Sequence, residues 1–445
     1  EPDGTHPDIG FEEAISAQCR HFARRMETRE DVNPSWEIDP VQSVSAPADE
    51  VPIKVFVYDE STPGVAELTQ GPAFCSNRQW GMDVGFHDFF RLSPVRTFDP
   101  TEADFFYVPC YAICLQVGGI FDRPDLDVHF QNLVSNLQYF NRTMGRDHIF
   151  SFHYIDLFPS WRKFISRSII LSPETEVGFE ASRAELDLNP TEFPPFDANK
   201  DLVVPPYMKM EHYLGLLDQA RPLPERTHLI GFSGKLWPDV AEAIKVRGAI
   251  KDQLSDLPGV AIYASETMTE LLPQPVLWQF MGDTKFCLVP RGRAAWSVRF
   301  FETLWAGCVP VVLSDEYQLP FEELFDVTEF VIKWPVSQIH TLYRYLSTLP
   351  DSVVESYTAA ARRVRCWYAY PPPEVSYLGN PESMREVNRF EAEFCPNVQT
   401  SRNVYQAITE LLKRKTKASK TSFTTFYFPM PDGSLRFTNE DLEDI

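Results

Sequence analysis

The sequence of 445 residues predicts an α/β protein made of two Rossmann-like domains that face each other across a cleft. Short β-branched or aromatic runs alternate with longer amphipathic segments, and this alternation is interrupted once by a proline-rich stretch, residues 219–228, before it resumes. The runs are almost continuously apolar, which is typical of strands buried on both faces of a parallel sheet. Two successive units of roughly 170 residues each fit two such domains.

The domain boundaries follow from these changes in composition. Residues 1–50 mix charged, small and proline residues with one amphipathic patch, FEEAISAQCRHFARRM, and predict a helix followed by a linker. Residues 51–222 form the first Rossmann-like domain and residues 223–395 the second. Residues 396–445 predict a C-terminal helix, NVYQAITELLKRK, and a polar, aromatic tail.

The first domain contains five predicted strands, each separated from the next by a longer polar or amphipathic segment: VPIKVFVYD, ADFFYVPCY, DHIFSFHYI, SIILSP and LVVPP. The second domain repeats the alternation in this order: strand HLIGFSG, helix VAEAIKVRGAIKDQL, strand VAIYAS, helix VLWQFMGDT, strand KFCLVP, helix SVRFFETLWAG, strands VPVVLSD and EFVIKWP, and helices SQIHTLYRYLSTL and SVVESYTAAARRVRCWYAY.

Bulk properties exclude several classes of function. A formal net charge of −22 argues against a broad electrostatic surface for nucleic acid or an anionic membrane.

The eight cysteines form no CxxC or CxxH zinc signature, and their even number permits up to four disulfides in an oxidising compartment. Asn141 begins an N-glycosylation sequon. The chain starts EPDGTHPD without methionine, and we interpret it as the luminal portion of a protein with a leader or anchor elsewhere.

The stretch after strand KFCLVP predicts an anion site. The strand ends at Pro290, and Ser297 is a suitable N-cap for the following helix, so the loop between them lies at the ligand-binding edge of a parallel sheet. A helix N-terminus carries partial positive charge, and Arg291 and Arg293 add two cations. A diphosphate fits this set better than a single carboxylate does. The alternative is a pair of solvated loop arginines.

Other residues point to the same cleft. Within the helix, Arg299 and Glu302 share a face, and Glu302 could accept both ribose hydroxyls of a nucleotide or form a surface ion pair with Arg299. Gly234 and Lys235 lie in a glycine-bearing turn that would let a ligand approach the backbone, although the Walker spacing is absent. Arg247, in the next helix, could reach phosphate or remain solvated.

Four ordered blocks of sequence resemble exostosin-like glycosyltransferases, glycosyltransferase family 47. The stretch FCLVPRGRAAWSVRFFETLWAGCVPVVLSDEYQLPFEELF is similar to the family's nucleotide-binding block. In the first domain, PVRTFDPTEADFFYVP, GRDHIF and DLVVPP are similar to three further blocks. The resemblance implies a GT-B fold and an inverting transferase of the Golgi lumen, usually a type II membrane protein, that uses a nucleotide sugar.

The resemblance also assigns roles to residues. Arg291 and Arg293 would take the diphosphate, Ser297 and neighbouring amides would support it, and Glu302 would hold the ribose. The second domain would bind the donor, expected to be a UDP-sugar, and the first would face the acceptor, an oligo- or polysaccharide. The acidic composition fits a neutral glycan more easily than a sulfated one. One chain is expected to perform one transfer, alone or within a homo- or heterodimer.

Inverting transfer needs a base on the acceptor side. His148 and Asp147 are the first candidates because they begin a strand after a glycine turn, followed by Asp156 and His87, while a packing role for His148 remains the alternative. No metal or other cofactor is expected, since two arginines compensate the diphosphate charge. The one DxD triplet, Asp125-Leu126-Asp127, is expected in a first-domain loop far from them.

Two further alternatives are open. Cys287 and Cys308 fall on neighbouring predicted strands and could form a disulfide or remain buried thiols. The chain could also be a catalytically weak or inactive partner subunit of a glycosyltransferase heterodimer. A Rossmann dehydrogenase is disfavoured because the GxGxxG fingerprint is absent.

Overall fold

A computed structural model describes residues 53–71, 75, 79–153, 163–175, 196–371, 381–396, 402–420, 426–429 and 435–438. The predicted helix at the N-terminus and the candidate base Asp156 lie outside these residues. In the described part the strands are β1 Val55–Val57, β2 Arg96–Thr97, β3 Phe105–Tyr107, β4 His148–Ser151, β5 Ile169–Ser172, β6 Leu202–Val203, β7 His228–Lys235, β8 Val260–Ser265, β9 Thr284–Pro290, β10 Val309–Leu313, β11 Ile332–Lys333, β12 Phe426–Pro429 and β13 Leu435–Thr438.

The described helices lie mainly between these strands. They are α1 Val65–Leu68, α2 Gly81–Leu92, α3 Ala112–Val117, α4 Arg123–Ser135, α5 Met210–Gln219, α6 Ala241–Leu254, α7 Gln274–Gly282, α8 Val298–Ala306, α9 Ile339–Thr348, α10 Asp351–Val364, α11 Pro381–Glu393 and α12 Val404–Ser419.

Strands β1–β6 form a parallel sheet in the order β2-β1-β3-β4-β5-β6, and strands β7–β11 form a second parallel sheet in the order β11-β10-β9-β7-β8. The central strands are buried along their length, as the apolar runs predicted. The predicted α/β architecture, two Rossmann-like halves in the arrangement of the GT-B fold, is confirmed. The short edge strand β2 was not predicted.

Among the residues that the structure describes, the hydrophobic core has three parts. One outer cluster lies on the far face of the first sheet, around Phe106 and Phe150, and a second lies on the far face of the second sheet, around Leu288 and Val311. The third and largest cluster joins the two halves, with side chains from both sheets and from the C-terminal helices. The halves therefore share one apolar interior and are not independent globules connected by a linker.

Helix α5 lies at the junction of the two halves. The ring of Tyr213 packs at 4.6 Å from that of Trp305 on α8, and its hydroxyl accepts a hydrogen bond from the amide of Tyr370 at 3.2 Å. The hydroxyl of Tyr370 in turn donates to the carbonyl of Pro205 in the first half, at 2.6 Å. Buried tyrosines with satisfied hydroxyls fix both distance and orientation, so these contacts set how the sheets face one another.

After the second sheet the chain returns to the first half. The ring of Tyr405 on α12 stacks on Phe89 of α2 with centroids 4.5 Å apart. Lys415 donates to the carbonyl of Asn199 at 2.9 Å, and Lys420 pairs with Asp104 at 2.6 Å. The C-terminal helix is thus part of the first half in space.

Three disulfides occur among the described residues. Cys287 on β9 is bonded to Cys308, the residue before β10, which confirms this pair. The other two are Cys75–Cys114 and Cys366–Cys395, while Cys110 is a buried thiol. Cys19 lies outside the described residues.

The triplet Asp125-Leu126-Asp127 does not lie in a loop, as was expected. It lies in the first turn of α4, where Asp122 caps the helix by accepting the amide of Asp125 at 2.9 Å. Its carboxylates are helix-surface groups. Within the described ranges, no group of three or more His, Cys, Asp or Glu residues could hold a metal ion. None of the helices in the described part has the length and apolar character needed to cross a membrane.

Removing the Cys287–Cys308 bridge should destabilise the second half. The sequence separation is 21 residues, so the double substitution C287A/C308A should lower the free energy of unfolding by about 3 kcal/mol. Guanidinium denaturation of the oxidised protein measures this. The control is C110A, which removes one buried sulfur but no cross-link. Equal denaturation midpoints for the double variant and the wild type would contradict a stabilising role for the bridge.

Candidate functional site

The two sheets direct the carboxyl ends of their strands towards a common cleft. A cavity of about 860 Å³ opens there. Its walls come from the first half, from α5 and from the N-terminal ends of α7 and α8: Gln79, Trp80, Tyr207, Met208, Lys209, Glu211, His212, Met268, Gln274, Trp278, Val298 and Glu302. Ligands of parallel α/β sheets bind at this edge, so the cavity lies where a substrate is expected.

Helix α8 begins and ends as the sequence predicted. Ser297 is in extended conformation, and its hydroxyl accepts the amide hydrogen of Arg299 at 3.3 Å. Phe301, Leu304 and Trp305 are buried on the inner face of α8, whereas Val298 lines the cavity. The helix ends at Gly307, whose φ of 73° favours glycine. The N-terminus of α8 therefore points its amides into the cleft.

Glu302 lies one turn inside α8, in the wall of the cavity, and is almost fully buried. Its carboxylate pairs with Arg299 at 2.6 Å, and the other oxygen is 2.8 Å from Nε2 of His212 on α5. Burial alone would raise the pKa of Glu302, but Arg299 and His212 hold it below its usual value. The predicted ion pair is thus present, and the carboxylate it fixes is charged and faces the cavity.

Arg291 and Arg293 occupy different environments. Arg291 is 4 % exposed and lies 3.5 Å from the exposed carboxylate of Glu316. Arg293 is about half exposed, pairs with the exposed Asp239, and lies over the ring of Trp237 at 4.9 Å. Arg291 is therefore not a solvated loop arginine, and both guanidinium groups lie beside surface carboxylates that an anionic ligand could replace.

Arg247 is buried and bonds to the main chain. Its guanidinium donates to the carbonyls of Arg291 at 2.7 Å, Lys235 at 2.6 Å and Pro290 at 3.4 Å. Burial, reinforced by Arg299, lowers its pKa to about 9. Arg247 thus ties the end of β7 to the end of β9 and to the loop that carries the two arginines.

Gly234 is needed for this contact. A Cβ at that position would lie 2.9 Å from the ring of Phe232 and 3.1 Å from Nη1 of Arg247. The side chain of Lys235, next along β7, lies over Trp237 at 4.3 Å. Gly234 and Lys235 lie within β7, whereas the sequence predicted a turn there. The close approach to the backbone that the sequence predicted for a ligand is made here by the protein's own Arg247.

Asp147 and His148 are fully buried at the start of β4. His148 Nδ1 lies 2.8 Å from Asp147, and its Nε2 lies 2.9 Å from the hydroxyl of Tyr58. Asp147 also accepts from Arg142 at 2.7 Å. The first residue of a parallel strand lies at the sheet edge opposite the ligand edge. This geometry favours the packing role over that of a base.

His87 is nearer to the carboxyl edge. It lies on α2, with Nδ1 2.7 Å from the hydroxyl of Tyr111 and its ring stacked on Tyr107. Burial lowers its pKa to about 4.

The sequon lies at the surface of the first half. Asn141 is exposed, whereas the hydroxyl of Thr143 is buried and donates to Asp147 at 2.6 Å. Substituting Thr143 would therefore disturb Asp147 as well as the sequon.

Sequence reasoning missed His212, Trp80, Trp278 and His153. The first three line the cavity. His153 follows β4, and its ring lies 5.1 Å from that of Trp296, which belongs to the loop between β9 and α8. These residues come from segments far apart in sequence. His153 lies within the predicted strand DHIFSFHYI and Trp278 within the predicted helix VLWQFMGDT, and no motif in the sequence marks either of them.

If the hydrogen bonds of Arg247 hold the ends of β7 and β9 together, its removal should destabilise the fold. The variant R247M leaves three carbonyls without their donor, so the free energy of unfolding should fall by about 3 kcal/mol in urea denaturation. The control K245M changes an exposed cation on the same helix and should shift stability by less than about 0.5 kcal/mol. Unchanged stability of R247M would favour a ligand-binding role instead.

Comparison with known proteins agrees with the sequence blocks. The chain matches the Exostosin GT47 domain over residues 49–349. It is 30% identical over 333 residues to "Probable beta-1,4-xylosyltransferase IRX10L" of Arabidopsis thaliana, across 68% of this chain and 72% of that protein. It is 28% identical over 333 residues to "Probable glucuronosyltransferase Os01g0926700" of Oryza sativa subsp. japonica, with the same two coverages.

Solved structures give a weaker likeness. A UDP and glucose complex of Anabaena Alr3699/HepE aligns over 75% of this chain and 99% of its own, at 12% identity and a TM-score of 0.34. From the domain match and the curated relatives, the chain belongs to the exostosin GT47 family of glycosyltransferases.

Proposed function

We propose that the chain transfers one sugar, with inversion and without a metal ion, from a UDP-sugar to a hydroxyl of an oligo- or polysaccharide. The observation that carries this proposal is Glu302, a charged carboxylate in the wall of the cleft cavity that Arg299 and His212 hold in place. A fixed carboxylate with lone pairs towards a cavity is suited to accept the two hydroxyls of a ribose.

The diphosphate would lie at the N-terminus of α8. Positive charge is supplied there by the amides of the first helical turn and by the side chains of Arg291 and Arg293. The two arginines can exchange their partners Glu316 and Asp239 for phosphate oxygens. Both carboxylates are more than half exposed, so their release into water costs little. Two guanidinium groups and a helix N-terminus can compensate the charge of the leaving diphosphate, which is why we propose metal-independent transfer.

The nucleoside would occupy the cavity beside Glu302. Trp278 and Val298 offer apolar surface, and Gln274 lies 3.3 Å from Nδ1 of His212, so polar groups reach the same space. The donor sugar would then extend from the diphosphate towards the first half, where the acceptor hydroxyl attacks the anomeric carbon opposite the leaving group.

The choice of first donors comes from the relatives. Their descriptions name probable β-1,4-xylosyl and glucuronosyl transfer, so UDP-xylose and UDP-glucuronic acid are the donors to test first. Three disulfides among the described residues fit an oxidising compartment, and we place the protein in the Golgi lumen, anchored there as a type II membrane protein.

An inactive partner subunit is the second candidate. The observation that favours it is the closed environment of Asp147 and His148, which leaves the base predicted from sequence without access to an acceptor. Transfer by the purified chain separates the two functions.

UDP should stabilise the protein through this site. At a concentration about 100 times its Kd, UDP should raise the free energy of unfolding by about 2.7 kcal/mol, and R293A should abolish this gain because it removes a diphosphate cation. E302Q should reduce the gain because it removes the charge that binds the ribose. Thermal denaturation with and without UDP measures both effects. The exposed arginine variant R344A should respond as the wild type does, and full stabilisation of R293A would refute the site.

A further inference from the structure

His153 is a buried histidine at the ligand edge of the first sheet that the proposed donor site does not use. It follows β4 by two residues and is 3 % exposed. In the first half, the acceptor must approach this edge if the donor lies on α8, because the carboxyl ends of both sheets meet at the cleft. The inference below rests on the proposed function.

His153 lies beside the loop between β9 and α8, which carries Arg291 and Arg293. Along β4, Ile149 packs into the core shared by the two halves, whereas Phe150 and Phe152 pack into the far core. His153 then meets Trp296 across the cleft, ring edge to ring face, at 5.1 Å. Trp296 directly precedes the helix cap Ser297. An imidazole of the first half therefore touches the loop that would bind the diphosphate.

The Nε2 atom of His153 is buried and has no hydrogen-bond partner among the residues that the structure describes. A buried polar atom without a partner costs about 1–3 kcal/mol, so its retention calls for a role. Burial lowers the pKa of His153 to about 3, so the imidazole of the free protein is neutral near neutral pH and is a weak base until charge or solvent beside it changes.

Three other titratable groups of the first half, His87, His148 and Asp83, are less suited to that task. Nδ1 of His87 is bonded to Tyr111, and His148 lies at the opposite end of β4 with both nitrogens engaged. Asp83, on α2, is 1 % exposed, and burial raises its pKa well above the usual value because the charged carboxylate is disfavoured there.

We propose that His153 is the general base of the transfer. The acceptor hydroxyl oxygen forms a bond to the anomeric carbon of the donor, and the bond from that carbon to the diphosphate oxygen breaks, with its electron pair leaving on the diphosphate. The hydroxyl proton passes to Nε2 of His153 and is later released to water. Trp296 covers the imidazole, so the acceptor reaches His153 when this side chain moves aside.

Donor binding would also adjust the base. A diphosphate on the loop beside Trp296 places negative charge near His153, and a nearby negative charge favours imidazolium. The imidazole is therefore a stronger base in the donor complex than in the free protein. Arg291 and Arg293 face the same region and oppose this effect until the diphosphate neutralises them.

The test uses the purified chain with UDP-xylose or UDP-glucuronic acid and an oligosaccharide acceptor, followed by UDP release and product formation. H153N should lower kcat by 100-fold or more, with UDP stabilisation unchanged, because the base is lost while the donor site remains. In H153N the decrease in kcat at low pH, which reports protonation of His153, should also disappear. In H153A, added imidazole should restore part of the activity, which a purely structural role would not allow.

The outcomes separate the inference from the proposed function. If the wild type transfers no sugar from any UDP donor, the proposed function is wrong and the role of His153 falls with it. If the wild type is active and H153N retains kcat within twofold, or D83N alone removes activity, the base assignment is wrong. A loss in H153N together with loss of UDP stabilisation, without rescue of H153A by imidazole, would also overturn it.

Discussion

The guanidinium of Arg247 holds the donor side of the cleft in shape. The loop between β9 and α8 must leave the sheet, carry two cations and start a helix within a few residues, and such a loop has few backbone partners of its own. Arg247 donates hydrogen bonds to the carbonyls of Lys235, Pro290 and Arg291, and so fixes the position at which the loop leaves the sheet. The cations above it are placed by this contact, since Arg291 carries one of the bonded carbonyls.

Ion pairing organises the surface of the site as well. Glu302 pairs with Arg299 and lies within hydrogen-bond distance of His212, and these contacts hold its pKa below the usual value although it is almost fully buried. Arg291 and Arg293 have carboxylate partners that are exposed and can move. The pair of Arg299 and Glu302 is therefore buried in the wall of the cavity, whereas the pairs that a ligand could replace lie at the surface.

Local patterns in the sequence predicted the scaffold well. Strands buried on both faces leave continuous apolar runs, and Ser297 and Gly307 mark the two ends of α8. Cys287 lies on β9, and Cys308 directly precedes the adjacent strand β10. The DxD triplet was misplaced because Asp122 and Pro124, which start α4, were not recognised as a helix signal. Contacts such as His212 with Glu302 could not be predicted, because 90 residues separate the partners and no periodicity links them.

The chain crosses between the two sheets twice, once through α5 and again through the segment that leads to α12. Two connections between the halves restrict their relative motion more than a single linker would. They resist twisting of one half about the cleft axis and leave a flexing motion, perpendicular to the line between the crossings, as the easiest relative movement. The Cys366–Cys395 bond ties together the start and end of the returning segment and stiffens it close to the pivot. Shearing the halves past one another would break the apolar interior that they share.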